Sequence, residues 1–197
     1  MLLAAFLFTA VGASVAHSAL NSDPAALIAD SVTFNASSGP TFYGYVDYAV
    51  YAPGDYTGSL SFPDKFVYCY QIFNLPTSAA VSVFSVVLIP GASVVGAFTD
   101  SASTTGVPGG SIPVPLSSAL MVSYFFGRNT VPANQHSTVL LFASDMAPTL
   151  GTATLTNFQS VSVGIQLPAP IPEPTTLLLF ALVAPMLVKT RKQHRAK

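Results

Sequence analysis

The sequence predicts an all-β domain: an antiparallel β-sandwich, immunoglobulin-like or jelly-roll-like, of about seven or eight strands. A signal peptide is expected before it and a transmembrane helix after it. Three observations carry this. Between Ala19 and Ile171 helical periodicity is scarce, and alternating, β-branched or aromatic runs recur. Turns rich in Pro and Gly separate those runs. Each terminus carries an apolar run, Met1–Ala16 and Thr175–Val188, and much of the excess apolar content sits in these two ends.

The N-terminal run, Met1 to Ala16, is too short for an ordinary membrane span and suits the core of a signal peptide. Small residues at Ser14, Ala16 and Ser18 set two cleavage points, after Ala16 or after Ser18. Ala25–Ala29 reads as a short helix, with Asp23 as cap and Pro24 at its first position.

Strand signals then follow in order. Tyr43–Tyr51 alternates Tyr43, Tyr45, Asp47, Ala49 and Tyr51 against Gly44, Val46, Tyr48 and Val50. Phe66–Phe73, Ala80–Ile89, Leu120–Phe126, Ser137–Ala143 and Ser160–Leu167 are further candidates, and Ser93–Phe98 and Thr152–Phe158 are weaker ones. Ala52-Pro53-Gly54-Asp55, Asn74-Leu75-Pro76, Ile89-Pro90-Gly91 and Val131-Pro132-Ala133-Asn134 supply turns. Asp100–Ser118, rich in Ser, Thr, Gly and Pro, reads as a long surface loop.

Charge narrows the function. Only 8% of residues are charged, against roughly a quarter in an ordinary globular domain. Five of the seven bases are Lys189, Arg191, Lys192, Arg195 and Lys197. Residues 20–171 keep Lys65 and Arg128 against seven aspartates, a net charge of −5. A body without a basic patch argues against nucleic acid as a partner.

Residues with chemistry are sparse. Cys69, the sole cysteine, excludes an internal disulfide and sits in an apolar run, where it reads as a small buried hydrophobe. His136 is the one histidine of the body, and no Gly-x-Ser-x-Gly elbow accompanies the serines. Asp47, Asp55 and Asp64 match no calcium-loop spacing. No catalytic residue, metal site or cofactor is expected. Tyr43, Tyr45, Tyr48, Tyr51 and Tyr56 are a local concentration that either packs the sheet or stacks on sugar rings. Asn35-Ala36-Ser37 matches a glycosylation sequon.

The C-terminus is the most specific stretch. Pro172-Glu173-Pro174 is followed by the apolar run Thr175–Val188 and then by the basic end Lys189–Lys197. Prolines favour an extended, accessible backbone. An apolar helix can enter a bilayer, and a basic cluster stays cytoplasmic. These three parts in this order, paired with a leader, resemble the tail of PEP-CTERM proteins, although Thr175–Val188 is short for a span and Pro185 interrupts it. The resemblance implies that Pro172, Glu173 and Pro174 are a sorting motif read by an exosortase, a membrane-embedded protease. The protein would be anchored in the inner membrane as a precursor and then reach the cell surface or extracellular matrix.

The expected organisation is therefore a signal peptide at 1–18 and a β-sandwich at 19–166. A Pro-rich linker with the motif spans 167–174, a transmembrane helix 175–188 and a basic cytoplasmic tail 189–197. A non-catalytic structural role is the first reading. An exopolysaccharide-binding module is the second, and a secreted hydrolase using His136 the third.

Overall fold

The computed structural model describes residues 20–37, 39–58, 60–88, 94–100, 116–118, 121–127 and 130–170. Eleven strands follow a three-residue 3-10 turn at Leu20–Ser22: β1 Ile28–Asn35, β2 Tyr43–Tyr51, β3 Phe66–Asn74, β4 Val81–Val87, β5 Val94–Asp100, β6 Leu116–Ser118, β7 Met121–Phe125, β8 Gln135–His136, β9 Val139–Ser144, β10 Pro148–Asn157 and β11 Ser162–Pro170. All pairings are antiparallel. The all-β expectation holds, with more strands than anticipated.

Sheet A has the order β1-β2-β3-β9-β5, with β8 beside the end of β3, and sheet B has the order β11-β10-β4-β7-β6. One core cluster draws on both. Sheet A gives it Val46, Tyr48, Tyr68, Tyr70 and Phe142, and sheet B gives it Phe84, Val86, Tyr124, Leu155 and Leu167. Tyr70 shows the contact directly, its ring 5.4 Å from Phe84 of β4 and its hydroxyl donating to the Pro168 carbonyl of β11 at 2.6 Å.

The alternation in β2 sorts its two faces as the sequence implies. Val46, Tyr48 and Val50 enter the shared core, while Ala49 and Tyr51 enter a second cluster on the outer face of sheet A. That second cluster joins Val67, Cys69, Val139, Leu141 and Ala143. Tyr56, Leu60 and Phe62 of the β2–β3 connection cover it, with Leu20 and Ala26 from the N-terminal side. Within this connection Asp55 N–H donates to the Ala52 carbonyl at 3.0 Å, and Gly54 has φ +88. Pro53 then Gly54 is the pairing a type II turn requires. Gly44 meets a different demand, since a Cβ there would collide with the Phe34 ring and the Phe73 carbonyl.

Three expectations need correction. The Asp23 cap forms, its Oδ1 accepting from Ala25 N–H at 2.9 Å, but no helix follows. Leu27 N–H instead donates to the Val50 carbonyl and β1 begins at Ile28, so pairing with β2 overrides the local helix signal. Residues 167–170, expected in the linker, belong to β11. Leu167 and Ala169 are fully buried in the core, and β11 runs to Pro170. Prolines are tolerated there because β11 is an edge strand. The long loop between Asp100 and Ser118 ends in a short strand, β6. Among the described residues no helix is long and apolar enough to cross a membrane. The expected transmembrane helix at 175–188 and the signal peptide at 1–18 lie outside the described residues.

Candidate functional site

Every residue marked for sorting lies outside the described residues: Ala16 and Ser18, Pro172, Glu173 and Pro174, and the cluster Lys189, Arg191, Lys192, Arg195 and Lys197. What is described is the strand that leads to the motif. β11 pairs with β10 through Pro148↔Pro170, and Tyr70 holds the Pro168 carbonyl. The folded body therefore reaches to within one residue, Ile171, of Pro172.

The candidate residues of the body take structural posts. His136 sits on β8 with its ring 5.2 Å from Phe73. Its Nδ1 lies 3.1 Å from Gln71 Nε2 and 3.1 Å from the Ser137 carbonyl. The Ser137 hydroxyl accepts from Ile72 N–H and donates to the Thr138 carbonyl, so it serves the strand crossing between β8 and β9. Asp47 is separated from His136 by β3, and it accepts a hydrogen bond from the Ser31 hydroxyl. These groups do not converge as nucleophile, base and orienter.

Asp47 is buried on the outer face of sheet A. Loss of solvent pushes its carboxyl above the ordinary value, Ser31 pulls it back, and the Asp30 charge raises it further. Asn21 Nδ2 donates to Ser31 Oγ at 2.9 Å, so the 3-10 turn is tied onto the same polar patch. Asp55 and Asp64 are exposed on the β2–β3 connection. Among the described residues no three His, Cys, Asp or Glu side chains are grouped to hold a metal.

The tyrosines are used in packing. Tyr48 and Tyr51 are buried. Tyr51 donates to Asp23 Oδ2 and Tyr56 to the buried Asp100, both at 2.7 Å, and burial drives both phenols far up from their ordinary value. Tyr43 donates to the Pro76 carbonyl. Tyr45 stacks on Phe73 with centroids 4.6 Å apart and planes 9° from parallel. A ring pair stacked face to face withholds those faces from a sugar. Cys69 is fully buried and its thiol is pushed well up, chiefly by desolvation, so it is not a reactive thiol.

Sequence reasoning missed one concavity. A cleft of about 460 Å³ runs between the edges of β1 and β11, lined by Asn35–Ser37, Gly39 and Ser160–Gly164. Its lining is small and uncharged and includes the sequon residues Asn35 and Ser37. No sequence signal marks it, because it arises where two strands distant in the chain become the adjacent edges of two sheets. No protein family, no curated protein and no solved structure matches the chain.

Proposed function

We propose that this chain is an exported, non-catalytic surface or extracellular-matrix protein. A leader ending at Ala16 or Ser18 directs export. Thr175–Val188 holds the precursor in the inner membrane, and the basic cluster from Lys189 to Lys197 stays on the cytoplasmic side. An exosortase-type membrane protease then cuts near Pro172-Glu173-Pro174. One observation carries this reading: the three tail parts stand in order one residue, Ile171, beyond the end of β11. A stable β body followed at once by an extended proline motif gives a protease an accessible backbone at the membrane edge.

The strand order supports a finer fold for the body, an antiparallel sandwich with Greek-key-type crossovers, a feature that immunoglobulin-like and jelly-roll-like folds share. In each sheet a later strand lies between two earlier ones, β9 between β3 and β5, and β7 between β4 and β6.

Replacing Pro172, Glu173 and Pro174 together by alanine tests the function. The expected result is normal export, with the variant held in the inner membrane and its basic tail attached. Wild type loses the tail and appears at the surface or in the medium. Equal trimming of both forms would overturn the reading.

The cleft between β1 and β11 favours a second reading, in which the body holds exopolysaccharide. Its hydroxyl and amide lining can exchange hydrogen bonds with a neutral glycan. Gly164 lies on its wall, and a Cβ there meets nothing nearer than the Ala153 carbonyl at 4.0 Å. Gly164→Leu should fold normally and lose retention on immobilised exopolysaccharide. Unchanged retention would remove the cleft from consideration.

A further inference from the structure

Among the described residues, strand register gathers the exposed aliphatic side chains at one end of the molecule. Residues 145–147 join β9 to β10, so Ser144 and Pro148 mark the same end of the two sheets. On sheet A, Val94 pairs with Ser144 and Val95 with Ala143. Ile28 pairs with Val50, next to Tyr51 at the end of β2. On sheet B, Leu150 pairs with Pro168, and Val87, level with Thr152 two residues further in, pairs with Met121. Leu150 is 69% exposed and Leu27 56%, and Ile28, Val87, Val95 and Met121 are each about two-fifths exposed. Phe158, 67% exposed, is the outlier, at the opposite tip in the β10–β11 hairpin.

We propose that this aliphatic end is a membrane-contact rim, seated on the phospholipid surface that the protein's own tail enters. The inference rests on the tail reading above. β11 leaves the body at this same end, at Pro170. Five backbone steps separate Pro170 from Thr175, a reach of no more than about 18 Å. The polar zone of a bilayer is itself roughly 6 Å deep on each side. With Thr175–Val188 inserted, the body is held against the surface, and the end that faces it is the one carrying Leu27, Leu150 and Met121. Phe158 is eight residues along β10 and its turn from Leu150, about 27 Å away, and faces solvent.

Charge specifies the lipid. Lys65 and Asp145 form an ion pair at this end, and Asp55 and Asp64 are exposed on the connection that leaves it. Among the described residues of this end no excess of bases is present to attract anionic headgroups, so the contact is apolar and favours a zwitterionic surface.

The test uses the full chain in protein-free phosphatidylcholine vesicles. A cysteine is introduced singly as Leu150→Cys, Met121→Cys, Phe158→Cys or Leu182→Cys and labelled with an environment-sensitive fluorophore. Cys69 is fully buried, and the unsubstituted chain gives the labelling background. Quencher-bearing lipids should quench the labels at 182, 150 and 121, the latter two at least about twofold more than the label at 158. Anionic lipid should reduce quenching at 150 without affecting 182. Quenching at 182 with 150 and 121 no different from 158 overturns the rim and leaves the tail reading standing. Absence of quenching at 182 overturns both. Shielding of 150 in native membranes but not in vesicles assigns the end to a protein partner and also overturns the proposal.

Discussion

The two sheets differ in how many of their faces are covered. In sheet A, all six residues of β9 are buried, and β3 is buried at all but its first residue and Phe73. In sheet B, β10 alternates along its length and β11 along most of it, with Thr152, Ser162, Gly164 and Gln166 facing outward. The difference comes from the connections. Residues 52–65 fold back over sheet A with Tyr56, Leu60 and Phe62, whereas no described segment does the same for the β10–β11 half of sheet B. A β-strand is thus apolar on as many faces as the chain elsewhere can cover.

The largest expected effect tests that asymmetry. Leu141 lies on the outer face of sheet A, yet it is fully buried in the second cluster. Leu141→Ala should cost about 2–5 kcal/mol in denaturant unfolding, as much as a substitution between the sheets. Thr154→Ala, on the outer face of sheet B, should change stability by less than about 0.5 kcal/mol. Comparable effects at the two sites would dissolve the distinction.

Next come two buried phenols with opposite signs. Tyr70 donates to the Pro168 carbonyl and so pins the last turn of chain before the tail. Tyr70→Phe should lose about 1–2 kcal/mol and expose the 168–174 stretch to proteolysis. Tyr124, facing it across the core, has a buried hydroxyl with no hydrogen-bond partner. Tyr124→Phe should be neutral or stabilise by up to about 1 kcal/mol. Matching losses in both variants would contradict the assignment of Tyr70 as the anchor.

The smallest effect concerns Asp47 and has a pH signature. Its carboxyl is raised in the folded state, first by desolvation. The folded chain then binds more protons than the unfolded chain between the ordinary carboxylate value and the raised one. The contribution of Asp47 to stability is present below that window and is lost as pH rises through it. Asp47→Asn escapes this loss. Its stability relative to wild type should improve from pH 3 to pH 7. A relative decline over that range would mean that the Ser31 hydrogen bond outweighs desolvation.

These contrasts also show what the sequence could and could not reveal. Tyr43–Tyr51 was legible to the residue because its alternation and its flanking turns agree. β9 was legible from its unbroken apolar run. β1 was not, because it is a mostly exposed edge strand whose start is masked by the cap signal of Asp23-Pro24. β6 and β8 are too short to carry a period. The fate of the tyrosines was equally hidden. Whether Tyr51 and Tyr56 face solvent depends on how residues 52–65 fold back, and pairings such as β3 with β9 span some seventy residues. The proposed sorting motif is the reverse case, since the pattern that suggests it lies in local sequence order alone.

The mass of the mature protein recovered from outside the cytoplasm tests the central claim most directly. The account predicts a chain that begins just after Ala16 or Ser18 and ends near Pro174, with the segment from Thr175 to Lys197 removed. A surface-located chain that still carries Met1 and Lys197 would contradict both export processing and sorting.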